Sequence, residues 1–208
     1  MVQSSDEEIV SRILRGETAL FEVLMRKYNE RLYRISISIV GDDDAVEDII
    51  QTAYINAYRQ LVNFEGRSSF GTWLTRILIN ESLLYKIREQ RKQQTMMQTT
   101  FTEKHDETPL SGLLNKELKV VLEKAVASLP EKYRLVFVMR EVQGMSTNET
   151  MEALELGESN VKMRLIRAKV MLRDNLQRLW NPSDIYEFNL VRCDRIVEKV
   201  MGNINSGN

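Results

Sequence analysis

The chain is predicted to be all-α, with two small helical domains joined by a flexible linker and a helical tail beyond them. Three observations point there. Apolar residues recur at three- and four-residue spacing along most of the sequence, the mark of amphipathic helices. Glycine and proline are scarce, 9 and 3 in 208 residues, and several sit where one apolar stripe stops and the next begins. Runs of alternating β-branched residues, which strands need, are few.

The first domain is expected over residues 1–92. Its first helix spans about Asp6 to Leu14, capped by Ser5 and stopped by Gly16. A longer helix, Thr18 to Val40, carries Leu20, Phe21, Leu24, Tyr28, Leu32, Ile35 and Ile39 on one side and ends at Gly41. Asp42, Asp43 and Asp44 then cap a third helix and place negative charge where its dipole favours it. That helix runs to about Leu61, with Val46, Ile49, Ile50, Ala53 and Ala57 inward and Glu47, Asp48, Gln51 and Asn56 outward. A loop from Val62 to Arg67 leads to a Ser68–Ser69 cap. A fourth helix, Phe70 to about Lys92, then turns Phe70, Leu74, Ile77 and Leu84 inward.

From about Glu89 the stripe dissolves into Gln- and Thr-rich sequence, and residues 93–112 are expected to form the linker, with Pro109 near its end. The second domain is expected over 113–179. Leu113 to Ala127 restarts helix, and Leu129-Pro130 leads into an apolar helix from Glu131 to about Val142 that stops at Gly144. Ser146 and Glu149 have capping-box spacing and open a short helix. After a turn at Glu155, Leu156 and Gly157, a long helix begins at Glu158, with Val161, Leu165, Ala168 and Leu172 facing inward. Its other faces carry Lys162, Arg164, Arg167, Lys169, Arg173 and Arg178 against Glu158 and Asp174, a net 6 − 2 = +4 in a chain of net charge −1. Past Trp180, Asn181-Pro182 breaks the chain, and the tail, 180–208, holds a last helix from about Asn189 to Met201.

Composition excludes several classes. Hydrophobic content of 43% and charged content of 28% fit a globular protein, and no apolar run approaches the ~20 residues that a membrane span needs. The acidic start MVQSSDEEIV differs from a basic signal-peptide start, so an intracellular, cytoplasmic protein is expected. A lone Cys193 and a lone His105 exclude a disulfide framework and a four-ligand Cys/His zinc site within the chain. The Asp42–Asp44 triplet lacks the spacing of a calcium loop, and no catalytic set or cofactor motif stands out, so a non-enzymatic protein without metal or cofactor is expected.

Three features carry chemistry. A short capped helix, a tight turn and a longer basic helix make a helix-turn-helix, whose second helix enters the major groove; a basic face of this kind otherwise meets only water. In the first half, Tyr58, Phe64, Phe70, Trp73 and Tyr85 stand among Arg59, Arg67, Arg76, Lys86, Arg88, Arg91 and Lys92. Aromatic faces stack on unpaired bases while cations hold the backbone, although Phe70 and Trp73 also suit a core. The acidic face of the third helix, with Asp44, Glu47 and Asp48, repels nucleic acid and is either solvated or meets a protein.

The stretch DDAVEDIIQTAYINAYRQLVNFEGRSSFGTWLTRILINESLLYKIREQRK, followed after a polar linker by LPEKYRLVFVMREVQGMS and NVKMRLIRAKVMLR, resembles the extracytoplasmic-function sigma factors of bacteria, two-domain members of the sigma-70 class. The resemblance covers about Glu8 to Leu179. It implies core RNA polymerase as partner, through its β′ coiled coil and β subunit, with Asp44, Glu47, Asp48 and Gln51 on the docking surface. It implies that Asn63, Phe64, Glu65 and Gly66 capture a flipped base of the −10 promoter element, and that Trp73, Arg76, Asn80 and Lys86 hold the separated strands. Asn160, Lys162, Met163 and Arg167 would meet the −35 element. The chain departs from the family where Gly is usual, at Glu155, and where an Ile-Ala pair is usual, at Thr150-Met151; Met163 and Ile166 replace polar or ring residues. These departures leave room for recruitment by another DNA-bound factor, and the tail for an anti-sigma factor or recruiting protein. The rival readings are a free-standing helix-turn-helix regulator, which leaves the acidic helix and the aromatic loop idle, and a helical scaffold, which does not need segregated charge.

Overall fold

Helices account for every regular element among the described residues, and their caps follow from the sequence around them. The computed structural model describes residues 4–95 and 113–179, with Arg195 and Val197 isolated beyond them. The expected linker from 96 onward and the expected tail helix lie outside the described residues. The α-helices are α1 (Asp6–Leu14), α2 (Phe21–Val40), α3 (Asp43–Gln60), α4 (Phe70–Thr95), α5 (Leu113–Ala127), α6 (Glu131–Phe137), α7 (Thr147–Leu154) and α8 (Glu158–Leu179).

Capping chemistry sets the boundaries. The Ser5 hydroxyl accepts from the Glu8 N–H at 3.2 Å, and Asp6, Glu7 and Glu8 put three acids in the first turn of α1. Gly41, at φ +77°, closes α2 in the left-handed conformation, and the Asp42 carboxylate then caps α3 by accepting from the Asp44 N–H at 3.2 Å. The capping box before α7 is complete. Glu149 N–H donates to the Ser146 hydroxyl at 3.1 Å, and Ser146 N–H donates to Glu149 Oε2 at 2.7 Å.

Packing differs from the expected pattern in instructive places. Thr18–Leu20 and Leu61–Asn63 are single 3-10 turns, so α2 and α3 are each shorter than their apolar stripes. The apolar helix from Glu131 widens over Val138–Val142 into a π-helical turn. Helix α4 runs three residues past Lys92 into the Gln-rich segment, whose residues are good helix formers even without an apolar stripe. Leu84, expected inward, is 45% exposed, and Ile77 and Ile50 are only half-buried. The buried line of α4 is Phe70, Leu74, Leu78 and Ser82, a strict four-residue repeat. Its last member is polar because the Ser82 hydroxyl pairs with that of Ser36 on α2 at 3.1 Å, which satisfies both inside the core.

One glycine is needed for the close approach of α2 and α4. A Cβ on Gly71 would stand 2.5 Å from the Tyr28 ring. Tyr28 is fixed in turn by donating its hydroxyl to the buried Asp6 carboxylate, which Lys27 also holds at 2.6 Å, and these contacts tie α1 to the bundle.

The two halves pack against each other. Leu135, Val138, Met139, Met145 and Ala153 of the second half join the first-half core in one buried cluster. Helix α7 lies on α4 and α6 lies on α2. Polar ties reinforce the contact: Arg134 Nε donates to the Ser38 carbonyl at 2.6 Å, and Arg76–Glu155 and Lys86–Glu131 are ion pairs. No helix of the described residues is long and apolar enough to cross a membrane.

Candidate nucleic-acid interface

Asp44, Glu47, Asp48 and Gln51 occupy positions i, i+3, i+4 and i+7 of α3, and all four are exposed, so they form one acidic strip. No ion pair among the described residues uses these carboxylates. Beside the start of the strip, the Tyr33 hydroxyl donates to Asp43 at 2.6 Å, and this bond, with burial, pushes its pKa up to about 12. The expected outward Asn56 instead turns to Glu81 of α4, donating at 2.8 Å.

The loop residues lie at the corner where α3 gives way to α4. Phe64, Phe70 and Trp73 form a three-ring cluster: Phe64–Phe70 edge-on at 5.7 Å, Phe64–Trp73 at 5.2 Å and Phe70–Trp73 at 5.7 Å. Phe70 is fully buried and anchors the cluster, while Phe64 and Trp73 are half-buried, each keeping part of a face open. Asn63 and Glu65 are exposed, and Gly66, at φ +69°, takes a turn that disfavours other residues. Phe64, Glu65 and Gly66 line a cavity of about 430 Å³ whose far wall is α1, through Glu7, Val10, Ser11, Leu14 and Arg15. Sequence reasoning missed α1 here, because its spacing reports only its own amphipathic face. Tyr58 and Tyr85 do not join the corner. Tyr58 stands edge-on to Phe21 at 5.2 Å, and Tyr85 lies within the field of Asp42 and Asp48.

Arg76, Asn80 and Lys86 share the side of α4 that meets the second half. Arg76 pairs with Glu155, and Lys86 pairs with Glu131. Arg76 and Asn80 line a crevice of about 310 Å³ with Lys132, Leu135, Leu154 and Arg164. Glu149, on the same side, is subject to burial that raises its pKa. Hydrogen bonds with Ser146, the Arg31 charge on α2 and a hydrogen bond from Thr72 on α4 outweigh it and hold the carboxyl below its ordinary range. The residues expected to hold DNA strands are thus split between the loop corner and a part of α4 whose Arg76 and Lys86 pair with acids of the second half while staying partly exposed.

In the second half, Glu155 adopts φ +52° at the turn before α8, the only positive-φ non-glycine among the described residues. Thr150 is fully buried, and its hydroxyl donates to the Ser146 carbonyl at 2.9 Å, so a polar residue costs nothing unsatisfied there. Val161 and Ala168 are buried, Leu165 and Leu172 half-buried, as the apolar spacing requires. Asn160, Lys162, Met163 and Arg167 are all exposed on the outer side of α8. Lys162 pairs with Glu158 at 2.5 Å, and Arg167 donates to the Tyr133 hydroxyl at 3.3 Å. No cluster of metal-ligating side chains occurs among the described residues.

Residues 24–92 match the family profile of Sigma-70 region 2, and residues 119–172 match that of Sigma-70, region 4. The chain is 30% identical over 188 residues to the RNA polymerase sigma-H factor of Pseudomonas aeruginosa, covering 86% of this chain and 97% of that one. It is 28% identical over 186 residues to the ECF RNA polymerase sigma-E factor of Escherichia coli K12, covering 85% and 97%. Its fold is shared by CnrH, solved with the cytosolic domain of CnrY, at TM-score 0.64 and 22% identity over 84% of this chain and 99% of that one. The sigma factor RpoE of Bartonella quintana, solved with the anti-sigma factor NepR, shares it at TM-score 0.64 and 23% identity over 76% and 96%.

Proposed function

We propose how the work divides within a chain that belongs to the extracytoplasmic-function sigma factors of the sigma-70 family: α3 docks on RNA polymerase, the corner between α1 and α4 takes single-stranded −10 DNA, and α8 meets the −35 duplex. Membership supplies the function itself. The chain is a sigma factor, the subunit that directs RNA polymerase in promoter recognition and initiation. Catalysis is assigned to the polymerase and the place of work to the cytoplasm.

The observation that supports the −10 assignment best is the cavity beside the aromatic cluster. A base taken out of a stack loses a few kcal/mol, which a half-buried ring and a mostly apolar, open cleft with a few polar groups at its wall offset. Phe64 supplies the ring that lines the space, Trp73 packs against Phe64, and Glu7, Ser11 and Glu65 supply polar groups around it. The acidic strip on α3 supports the polymerase assignment by the opposite argument, since it repels phosphate and suits a basic protein surface. Because Arg76 and Lys86 are engaged by Glu155 and Glu131, the second half moves off α4 before those residues hold DNA. An anti-sigma factor, or a DNA-bound recruiter, is the further partner in this scheme.

The test is reconstitution of the full chain with core polymerase, mapping of transcription start sites, and footprinting of unpaired thymines upstream of them. The proposal expects melted DNA centred on the −10 region and its loss in Phe64→Ala with Trp73→Ala. Unchanged melting in that variant would remove the corner from the mechanism. Tight duplex binding by the chain without polymerase would favour a free-standing regulator instead.

A further inference from the structure

Three apolar side chains stand in solvent down the outer side of α8: Met163 at 50% exposure, Ile166 at 60% and Val170 at 42%. At 3.6 residues per turn they fall within about 60° of one another, opposite the buried Val161 and Ala168. The same periodicity puts Lys162, Lys169 and Arg173 along one edge of this strip, with Lys162 paired to Glu158 and Lys169 to Glu141, and Arg167 along the other, with Asp174 two turns further on beside it. An uncharged floor with cations on either side of its N-terminal half matches a major groove, with base edges in the middle and phosphates on either side. In the groove, the feature of a base pair that an apolar side chain recognises is the C5-methyl group of thymine.

We propose that Met163 and Ile166 are specificity-determining residues that read thymine methyl groups, so that the upstream promoter element of this factor holds thymines where the first three turns of α8 enter the groove. The inference rests on the reading of α8 as the −35 helix. Met163 lies in the N-terminal part of the helix, the part that reaches base edges in helix-turn-helix proteins, and Ile166 follows one turn later. Neither side chain offers a hydrogen-bond donor, so the feature each discriminates on a base edge is the methyl group.

The test uses the full chain with core polymerase on a promoter taken from its mapped start sites. The −35 window is randomised and selected, and each selected thymine is then replaced by deoxyuridine, which removes one methyl group and nothing else. The expected result is two or more preferred thymines, a loss of about fourfold in open-complex formation per deoxyuridine, as befits one buried methyl, and disappearance of that penalty in Met163→Ser with Ile166→Ser. If deoxyuridine has no effect while base-pair changes in the window do, methyl reading is overturned and −35 recognition stands. If every change in the window is silent, both fall, and the strip is then a docking face for a recruiting protein.

Discussion

Replacing Glu131 and Glu155 together by glutamine should raise the affinity of the free chain for single-stranded −10 DNA. These two carboxylates hold Lys86 and Arg76 against the second half. The Lys86–Glu131 side chains are 34% and 35% exposed, and those of Arg76–Glu155 are 51% and 67% exposed. Exposed ion pairs contribute about 0.2–1 kcal/mol each, the less exposed one towards the upper end, so the double change weakens the contact by about 1 kcal/mol. That is about a fivefold shift in the ratio of open to closed chain, and apparent affinity follows the open fraction. Leu135, Met145 and Ala153 still bury their apolar surface, so the contact loosens without dissolving. The assay is fluorescence anisotropy of a labelled −10 oligonucleotide titrated with the chain at low salt. Glu22→Gln with Glu123→Gln makes the same change in net charge in pairs confined to one helix and serves as the control. A fivefold gain over the control supports the reasoning that these ion pairs hold Arg76 and Lys86 against the second half. Equal affinities would refute it.

Three other outcomes are expected. Asp48→Arg should abolish capture by core polymerase while thermal stability stays within about 0.5 kcal/mol, since the side chain is exposed and unpaired; pull-down and melting measure the two. Gly71→Ala should destabilise the first half by about 1–3 kcal/mol in denaturant titration, because the added Cβ meets the Tyr28 ring, which Asp6 holds in place. Glu149→Ala should cost about 1 kcal/mol at neutral pH by breaking the capping box. The Glu149 carboxyl is held below its ordinary range, so its contribution is full above that range and is lost as pH falls through the lowered value; melts at pH 7 and pH 3 should show the variant's deficit shrinking in acid.

Much of this was legible because it is local. Ser5, Gly41, Asp42 and the Ser146–Glu149 box announce helix ends within four residues, and each does so in the structure. The acidic strip was legible for the same reason, since i, i+3, i+4 and i+7 on one helix are neighbours whatever else happens. Contacts between distant segments were not. Nothing in the spacing of α1 says that it forms the far wall of the loop cavity, and nothing near Arg76 or Lys86 points to Glu155 or Glu131. Leu84 was misjudged because apolar character marks a core position only when the adjoining helix reaches it. Ser82 was overlooked because its partner, Ser36, is 46 residues away.

Glu155 answers to two demands that pull apart. Its backbone sits where glycine is more comfortable, at a strain on the order of 1 kcal/mol, and its carboxylate reaches across to Arg76. Comfort in the turn and the ion pair with Arg76 therefore compete for a single position. A glycine there would relax the bend and give up the ion pair, so the two halves would lose one of their polar ties in exchange for local ease.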